Sequence, residues 1–189
     1  TLEEIKPQAF LYCNNLKSIS IGEKVKTFSA MSIYGSGIEE IILDENHPYF
    51  RIEEGAICNG EKVRALYNKE GTVFISPLKM IGTIENYEIP SSVVEGVEVK
   101  KIASQAFHNQ HKMKNIKIPD TVEIIESSFN YCSSLEKIEI PSSVTSISRG
   151  CFGEAKNLKE IIVYNTEGAI AGQPWGCIYG DKAVHWVEN

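Results

Sequence analysis

The sequence predicts an α/β solenoid that is rich in β-strand and carries short helical turns, and three observations predict this fold class. Apolar residues return at steps of 22 and 23 residues, an alternating apolar pattern closes most copies, and a proline often follows that pattern. One copy of this length cannot bury its apolar face alone, whereas stacked copies form a continuous core. We therefore expect residues 1–189 to form one elongated domain.

The repeat is most complete between Phe129 and Phe152, and about five copies of it lie within residues 5–43 and 89–163. An aromatic residue opens each clear copy. These residues are Phe10, Phe107, Phe129 and Phe152. A weaker copy has Ile33 at this position.

Each copy predicts two extended segments and one turn. In Leu135-Glu-Lys-Ile138-Glu-Ile140 the last three residues alternate apolar, polar and apolar, which is the period of a half-buried strand. Pro141 ends that strand because proline cannot donate to a ladder, and residues 144–147 form a second extended run. Residues 9–16 place apolar side chains three apart behind Pro7, which predicts one helical turn.

Residues 44–88 break the period and predict a β-hairpin insertion within the solenoid. Asn59-Gly60 is a strong tight-turn dipeptide, and residues 68–71 separate two further extended runs. A shorter hairpin over residues 93–99 widens the next copy.

Residues 164–189 depart from the repeat again and predict a carboxyl-terminal cap. Trp175, Trp186 and a closing strand would cover the open apolar end of the array. We expect the protein to end with this cap. Thr1 begins almost inside a copy, so we expect more chain before it.

Charge and hydropathy exclude several classes of function. The chain has 19 Lys+Arg against 25 Asp+Glu, a net charge of −6, which argues against a nucleic-acid surface and against a polybasic membrane anchor. No apolar stretch is long enough for a transmembrane helix. The first residues carry neither Met nor a signal sequence, so we expect that a signal peptide has been removed.

The pattern Ala-Phe-x-x-Cys-x-x-Leu-x-x-Ile-x-Ile-Pro-x-Ser-Val-x-x-Ile resembles the BspA-like leucine-rich repeat, also called the Treponema-type repeat. This resemblance implies a right-handed leucine-rich-repeat solenoid. It also implies a bacterial protein that is secreted or attached to the cell surface, with a role in adhesion or recognition rather than catalysis.

The five cysteines match neither a disulfide scaffold nor a zinc site. Cys13 and Cys132 share one repeat position, and Cys151 stands directly before an aromatic position, so all three are predicted to pack in the core. Cys58 lies in the insertion and Cys177 in the cap, and a disulfide involving either residue stays open.

The sequence predicts no enzyme and no catalytic, cofactor or metal site. His108 and His111 have a spacing that brings two imidazoles together, but no third ligand follows. Neither a Gly-x-Ser-x-Gly elbow nor a glycine-rich phosphate loop occurs, and His47 has no nucleophile at such an elbow. A hydrolase with its site in residues 44–88 is the least favoured hypothesis.

Strand alternation identifies a candidate binding face, because a solenoid presents its outward strand residues in register. The candidate residues are Ser18, Ser20, Glu40, Ile42, Asn115, Lys117, Lys137, Glu139, Glu160 and Ile162. Ile42 and Ile162 are apolar residues at positions predicted to be exposed, which is typical of contact sites.

A second candidate feature is the stretch from Lys100 to Ile118, which has five lysines, two histidines and no acidic residue. This stretch, which includes Lys114, forms a basic stripe that would attract an acidic partner or an anionic glycan. Alternatively, acidic residues of the next copy balance these lysines. They are Glu123, Glu126, Glu136 and Glu139.

Two functions therefore compete. The first is an extracellular module that binds a protein or a glycan through the strand face without a cofactor. The second is a structural spacer within a larger surface protein, without a ligand of its own. The sequence does not determine the oligomeric state.

Overall fold

The computed structural model describes residues 2–78 and 82–188, and it shows a β-solenoid of about seven turns. Residues 79–81 of the predicted insertion lie outside the described residues. Helix within the described residues is limited to two 3-10 segments, Ala30–Ser32 and Gly180–Ala183. The α component of the predicted class is therefore not found.

The predicted helical turn over residues 9–16 is a series of tight turns. Gln8 and Tyr12 adopt φ angles of 64° and 59°, in the left-handed region that a right-handed helix cannot contain. Asn109, Tyr131 and Glu154 have positive φ two residues after the aromatic residue of later copies, so the turn is a feature of the repeat.

Fifteen strands lie in the described part of the chain. They are β1 (Ser18–Ile21), β2 (Glu40–Leu43), β3 (Phe50–Cys58), β4 (Glu61–Asn68), β5 (Val73–Pro77), β6 (Asn86–Glu88), β7 (Ser92–Val94), β8 (Val97–Glu98), β9 (Lys101–Ile102), β10 (Asn115–Lys117), β11 (Ile124–Ile125), β12 (Lys137–Ile140), β13 (Ser146–Ile147), β14 (Glu160–Val163) and β15 (Val184–Trp186).

The turns stack through two sets of parallel strands. The front ladder contains the strands of the Ile-x-Ile pattern, paired as β1–β2, β6–β10 and β12–β14–β15. The back ladder is the parallel series β5–β9–β11–β13. In β12 burial alternates as the sequence predicts, with Lys137 and Glu139 exposed and Ile138 and Ile140 buried.

An aromatic column runs through the core between the ladders. Phe74, Phe107, Phe129 and Phe152 stack nearly parallel, with successive ring centroids 5.3, 5.5 and 5.9 Å apart. Trp175 follows Phe152 at 6.4 Å in an edge-on arrangement and is fully buried. The predicted cap thus places Trp175 in the next aromatic slot, while β15 adds a last strand to the front ladder.

More turns are present than the five predicted copies. Ile84, Tyr87 and Ile89 occupy the Leu, Ile and Ile positions of an additional copy, and all three are buried. The sequence pattern did not identify this copy because a tyrosine stands where the other copies have isoleucine.

Within the predicted insertion, residues 50–77 form a three-stranded antiparallel meander, β3–β4–β5, and the predicted tight turn at Asn59-Gly60 joins β3 to β4. The end of the predicted insertion, β6, belongs to the repeat and not to the meander. On its two sides the meander pairs with β6 of the front ladder and β9 of the back ladder. It therefore connects the two ladders across the solenoid.

The meander is a wall between two hydrophobic cores. Phe50, Leu66 and Ile75 belong to an amino-terminal core, whereas Tyr67 and Phe74 belong to a larger carboxyl-terminal core. Neighbouring residues of a strand point to opposite faces of the sheet, so each strand of the wall contributes to both cores.

A β-bulge at Gly55 allows β3 to change cores along its length. The register shifts between Glu54 and Ala56, and Gly55 has a φ of 145°. One extra residue reverses the alternation of side chains. Phe50 therefore packs in the amino-terminal core, while Ala56 packs in the carboxyl-terminal core.

Candidate binding surface

The outward residues of the front ladder lie side by side across neighbouring turns. Ser18 pairs with Glu40 and Ser20 with Ile42 in the first two turns. The later candidate residues pair with the strand before or after them. The pairs are Asn115 with Asn86, Lys117 with Glu88, Lys137 with Glu160, and Glu139 with Ile162.

The two apolar candidates differ in exposure. Ile42 is 47% exposed, as the alternation predicts. Ile162 is only partly exposed, so the prediction of an exposed residue is wrong there. The physical reason is the cap strand, which places His185 directly beside Ile162.

The front ladder is interrupted between β10 and β12. β10 pairs only with β6 and β12 only with β14 in the described structure, although the back-ladder strands of the same two turns remain paired. The two turns therefore separate at the front and stay joined at the back.

A groove of about 610 Å³ opens at this interruption. Its polar lining combines four candidate residues with two further ones. They are Asn115, Lys117, Lys137, Glu139, Asp120 and Ser142. Asp120 and Ser142 each follow a strand-ending proline, a position that the alternation argument did not include.

Tyr164 is an aromatic residue in the groove that the sequence did not identify as a candidate. It directly follows β14, lines the groove and donates a hydrogen bond from its hydroxyl to Glu139 Oε2 over 3.3 Å. Glu139 also binds Lys137 Nζ at 2.9 Å. Glu139 thereby connects the lysine to the tyrosine across the groove wall.

Most lysines of the predicted basic stripe are paired with glutamates. Lys100 contacts Glu98 and Glu123 at 2.7 and 2.9 Å, and Lys101 contacts Glu126 at 2.6 Å. Two of these three partners belong to the next copy, as the alternative interpretation predicts. The stripe is accordingly much less basic than its sequence indicates.

The preceding turn supplies further acidic partners, which lie outside the next copy. Lys114 contacts Glu85 at 2.9 Å and Lys117 contacts Glu88 at 3.5 Å. Lys114 lowers the pKa of the Glu85 carboxyl, first through its hydrogen bond and second through its positive charge. These pairs join residues 29 positions apart, so only the stacking of the turns brings them together.

His108 and His111 do not form a metal site. The His108 ring lies 5.1 Å from the Tyr34 ring and 5.3 Å from the Tyr131 ring, and burial lowers its pKa. His111 is exposed, and its Nδ1 lies 3.3 Å from the Asn109 carbonyl oxygen. No group of three potential metal ligands comes together in the described part of the chain.

His47 has a structural role in the insertion. Its ring is fully buried, and Nδ1 accepts hydrogen bonds from the Tyr49 and Phe50 amides at 3.3 and 3.2 Å. Nε2 lies 3.1 Å from the Gly22 carbonyl oxygen, which it reaches as a donor when Nδ1 accepts. Nε2 thus ties the insertion to the first turn, and Nδ1 orders the chain that leads into β3. Both ring nitrogens are engaged in these structural hydrogen bonds, which argues against the use of His47 in a hydrolase.

The cysteines confirm part of the core prediction. Cys132 and Cys151 are fully buried, and burial raises the pKa of both thiols to about 12. Each thiol also donates to a carbonyl of the preceding turn over 3.2 Å, Cys132 to Phe107 and Cys151 to Glu126. Cys13 is only half-buried because it lies in the first turn. The described residues form no disulfide.

Comparison with known families and structures agrees with this architecture. The sequence model of the BspA-type leucine-rich repeat region matches residues 1–95 and 79–172, in six copies. No curated protein matches the sequence significantly. No helix in the described part of the chain is long and apolar enough to cross a membrane.

Three solved bacterial proteins are similar in structure. A leucine-rich repeat protein from Eubacterium ventriosum ATCC 27560 is 24% identical with a TM-score of 0.61, and the match covers 91% of this chain and 42% of that one. The pneumococcal vaccine antigen PcpA is 20% identical with a TM-score of 0.55, with coverages of 87% and 43%.

A leucine-rich cell surface protein from Faecalibacterium prausnitzii A2-165 is 18% identical with a TM-score of 0.57, with coverages of 99% and 51%. At these identities the similarity shows the fold alone. The chain spans about half of the length of these structures or less.

Proposed function

The chain belongs to the BspA-type leucine-rich-repeat family, and from this premise we propose that it is a non-enzymatic recognition module that binds a protein or a glycan through the front ladder. The observation that carries this proposal is the register of the exposed side chains on that ladder. Lys137 with Glu160, and Lys117 with Glu88, each form a row that spans two neighbouring turns. A partner that extends along the solenoid axis meets several such rows at once.

The proposed location is the bacterial cell surface or the extracellular medium. The F. prausnitzii relative is described as a cell surface protein and the pneumococcal relative as a vaccine antigen, which supports a location outside the cell. We expect this function to need no cofactor, since binding by rows of side chains requires only complementary shape and charge.

A binding screen against extracellular matrix proteins and glycans tests the proposal. The variant carries Lys114→Ala, Lys117→Ala and Lys137→Ala, which removes three cations from the front ladder. We expect at least a tenfold loss of affinity for any partner found, because each lysine lies beside outward residues of that face. Unchanged binding by this variant would refute the assignment of the front ladder.

A matched control variant changes three exposed lysines outside the strands, Lys6, Lys24 and Lys156, to alanine. It has the same net charge as the test variant. Equal losses in both variants would indicate that overall charge, rather than the front ladder, determines binding.

The ion pairs of the lysines favour a second candidate, the structural spacer. Lys100, Lys101, Lys114 and Lys117 join neighbouring turns through glutamates, which stabilises the stack. A spacer predicts that the screen finds no partner.

A further inference from the structure

The interruption of the front ladder leaves two strand edges facing each other. The edge of β10 that faces away from β6, and the edge of β12 that faces away from β14, have no partner strand in the described structure. Free strand edges present main-chain N–H donors and C=O acceptors in alternation. These edges interrupt the sheet, so the side chains on either side of the interruption line a groove rather than a flat face.

The gap is too narrow for an inserted peptide strand. Neighbouring strands lie about 4.8 Å apart, so a strand placed between β10 and β12 would separate them by about 9.6 Å. Cα atoms of β10 and β12 instead come within 8 Å of each other. The geometry disfavours β-strand addition as the way in which the groove is filled.

The charges that line the groove balance. Lys117 and Lys137 are opposed by Asp120 and Glu139, and both lysines already contact carboxylates, Glu88 and Glu139 respectively. An anionic ligand would have to compete with those carboxylates, and a cationic one with the lysines. The lining instead matches a neutral ligand that both donates and accepts hydrogen bonds.

Shape and aromatic content point in the same direction. A volume of about 610 Å³ lies within the range of small-ligand sites, about 300–1,000 Å³. Tyr164 provides a partly exposed ring to a groove whose lining also includes the polar Ser142 and Asn115. The Tyr164 ring can pack on an apolar face of a ligand, and the polar side chains of the lining can bond with its hydroxyls. A ligand with one apolar face and many hydroxyls therefore fits this groove.

We propose that the groove between β10 and β12 binds a neutral oligosaccharide. The sugar lies along the mouth of the groove, where its hydroxyls bond with the balanced side chains of the lining, and the C–H face of a sugar ring packs on Tyr164. This inference rests on the proposed recognition function, and it assigns to that function both a place on the front ladder and a ligand class.

Binding of labelled protein to an array of neutral, sialylated and sulfated glycans, followed by calorimetry with a neutral hit, tests the inference. Ser142→Trp fills the groove from an exposed position, while Ser18→Trp adds the same side chain to the front ladder outside the groove. We expect neutral glycans to bind, Ser142→Trp to lose at least tenfold in affinity, and Ser18→Trp to stay within twofold of the unmodified protein.

A tyrosine pair separates ring packing from the hydroxyl bond to Glu139. We expect Tyr164→Ala to weaken binding about five- to tenfold, which is the contribution of one aromatic contact to affinity. Tyr164→Phe should keep most of the affinity, because the ring remains. Retained affinity in both Tyr164→Ala and Ser142→Trp would overturn the groove assignment.

The array distinguishes this inference from the proposed function. Binding only to sulfated or sialylated glycans, or only to a matrix protein, with sensitivity to the lysine variant, would overturn the neutral-glycan inference and leave front-ladder recognition intact. No binding to any glycan or matrix protein would refute both.

Discussion

The wall formed by β3–β4–β5 predicts that the two halves of the solenoid can be destabilised separately. Leu66→Ala and Ile84→Ala test this. Both side chains are fully buried and aliphatic, but Leu66 faces the amino-terminal core and Ile84 the carboxyl-terminal core. The two substitutions therefore make comparable cavities on opposite sides of the wall.

The expected local cost is the same for both variants. Truncation of a fully buried leucine or isoleucine to alanine costs about 3–4 kcal/mol, because transfer free energy is lost and a cavity remains. With a urea dependence of about 2 kcal/mol per M, this corresponds to a shift of about 1.5–2 M in the unfolding midpoint of the affected part.

Tryptophan fluorescence is a natural reporter of one half, because Trp175 and Trp186 are the two tryptophans of the chain and both lie in the cap. We expect Ile84→Ala to move the fluorescence midpoint by the full amount and Leu66→Ala by less than half of it. In a stack of turns each turn contacts only its neighbours, so loss of the amino-terminal core removes one interface from the other half.

Hydrogen exchange measured by mass spectrometry supplies the complementary reporter. For Leu66→Ala, peptides that cover β1 and β2 should exchange faster, with β12 and β14 still protected. Equal fluorescence shifts in the two variants, with uniform loss of protection, would show that the solenoid unfolds as one unit and would refute the two-core reasoning.

Three further predictions concern buried polar groups. The Tyr87 hydroxyl is buried without a hydrogen-bond partner among the described residues, so Tyr87→Phe should raise the free energy of unfolding by about 1 kcal/mol in urea titration, and a loss would contradict the structure. Burial lowers the pKa of His108 below its ordinary value of 6.5, so the unfolded chain takes up a proton first as the pH falls. Stability should therefore decrease from pH 7.5 to 5.5, and His108→Gln should reduce that decrease; equal pH dependence in both proteins would refute it. Cys132 and Cys151 have pKa values of about 12, so at pH 8 Ellman's reagent should modify them only after unfolding, whereas half-buried Cys13 should react in the folded protein; rapid native modification of either buried thiol would contradict their placement.

The inward side chains of the repeat could be predicted from the sequence because their identity depends on a short local period. Ile138 and Ile140 alternate with charged residues, and nothing distant is needed to assign them to the core. The copy that contains Tyr87 could not be identified from this period, because Tyr87 stands at a position that isoleucine occupies in the other copies. A ring fits at this position only where it packs against the wall. The centroid of the Tyr87 ring lies 5.9 Å from that of Phe74, which belongs to the wall, and 5.1 Å from that of Phe107.

Features that depend on contacts between turns could not be predicted. The bulge at Gly55 reverses the side chains of β3 through one inserted residue, and no local pattern marks it. The pairing of Lys114 with Glu85 depends on two turns that are separated by the hairpin over residues 93–99. The predicted basic stripe counted charges along one copy, whereas the electrostatic field depends on the acidic residues that the stack places beside them.

The groove shows why only part of the candidate site could be predicted from the sequence. A perfect repeat predicts a continuous ladder, in which Asn115, Lys117, Lys137 and Glu139 are only neighbours on a flat face. The structure instead separates β10 from β12, which turns these four residues into the walls of a concavity and brings in Tyr164. Ligand sites are concave, and a regular stack of identical turns provides little concavity on the scale of one ligand. Recognition by this solenoid is therefore expected where the regularity of its repeat fails, and the Ser142→Trp and Ser18→Trp pair compares such a place directly with an intact part of the ladder.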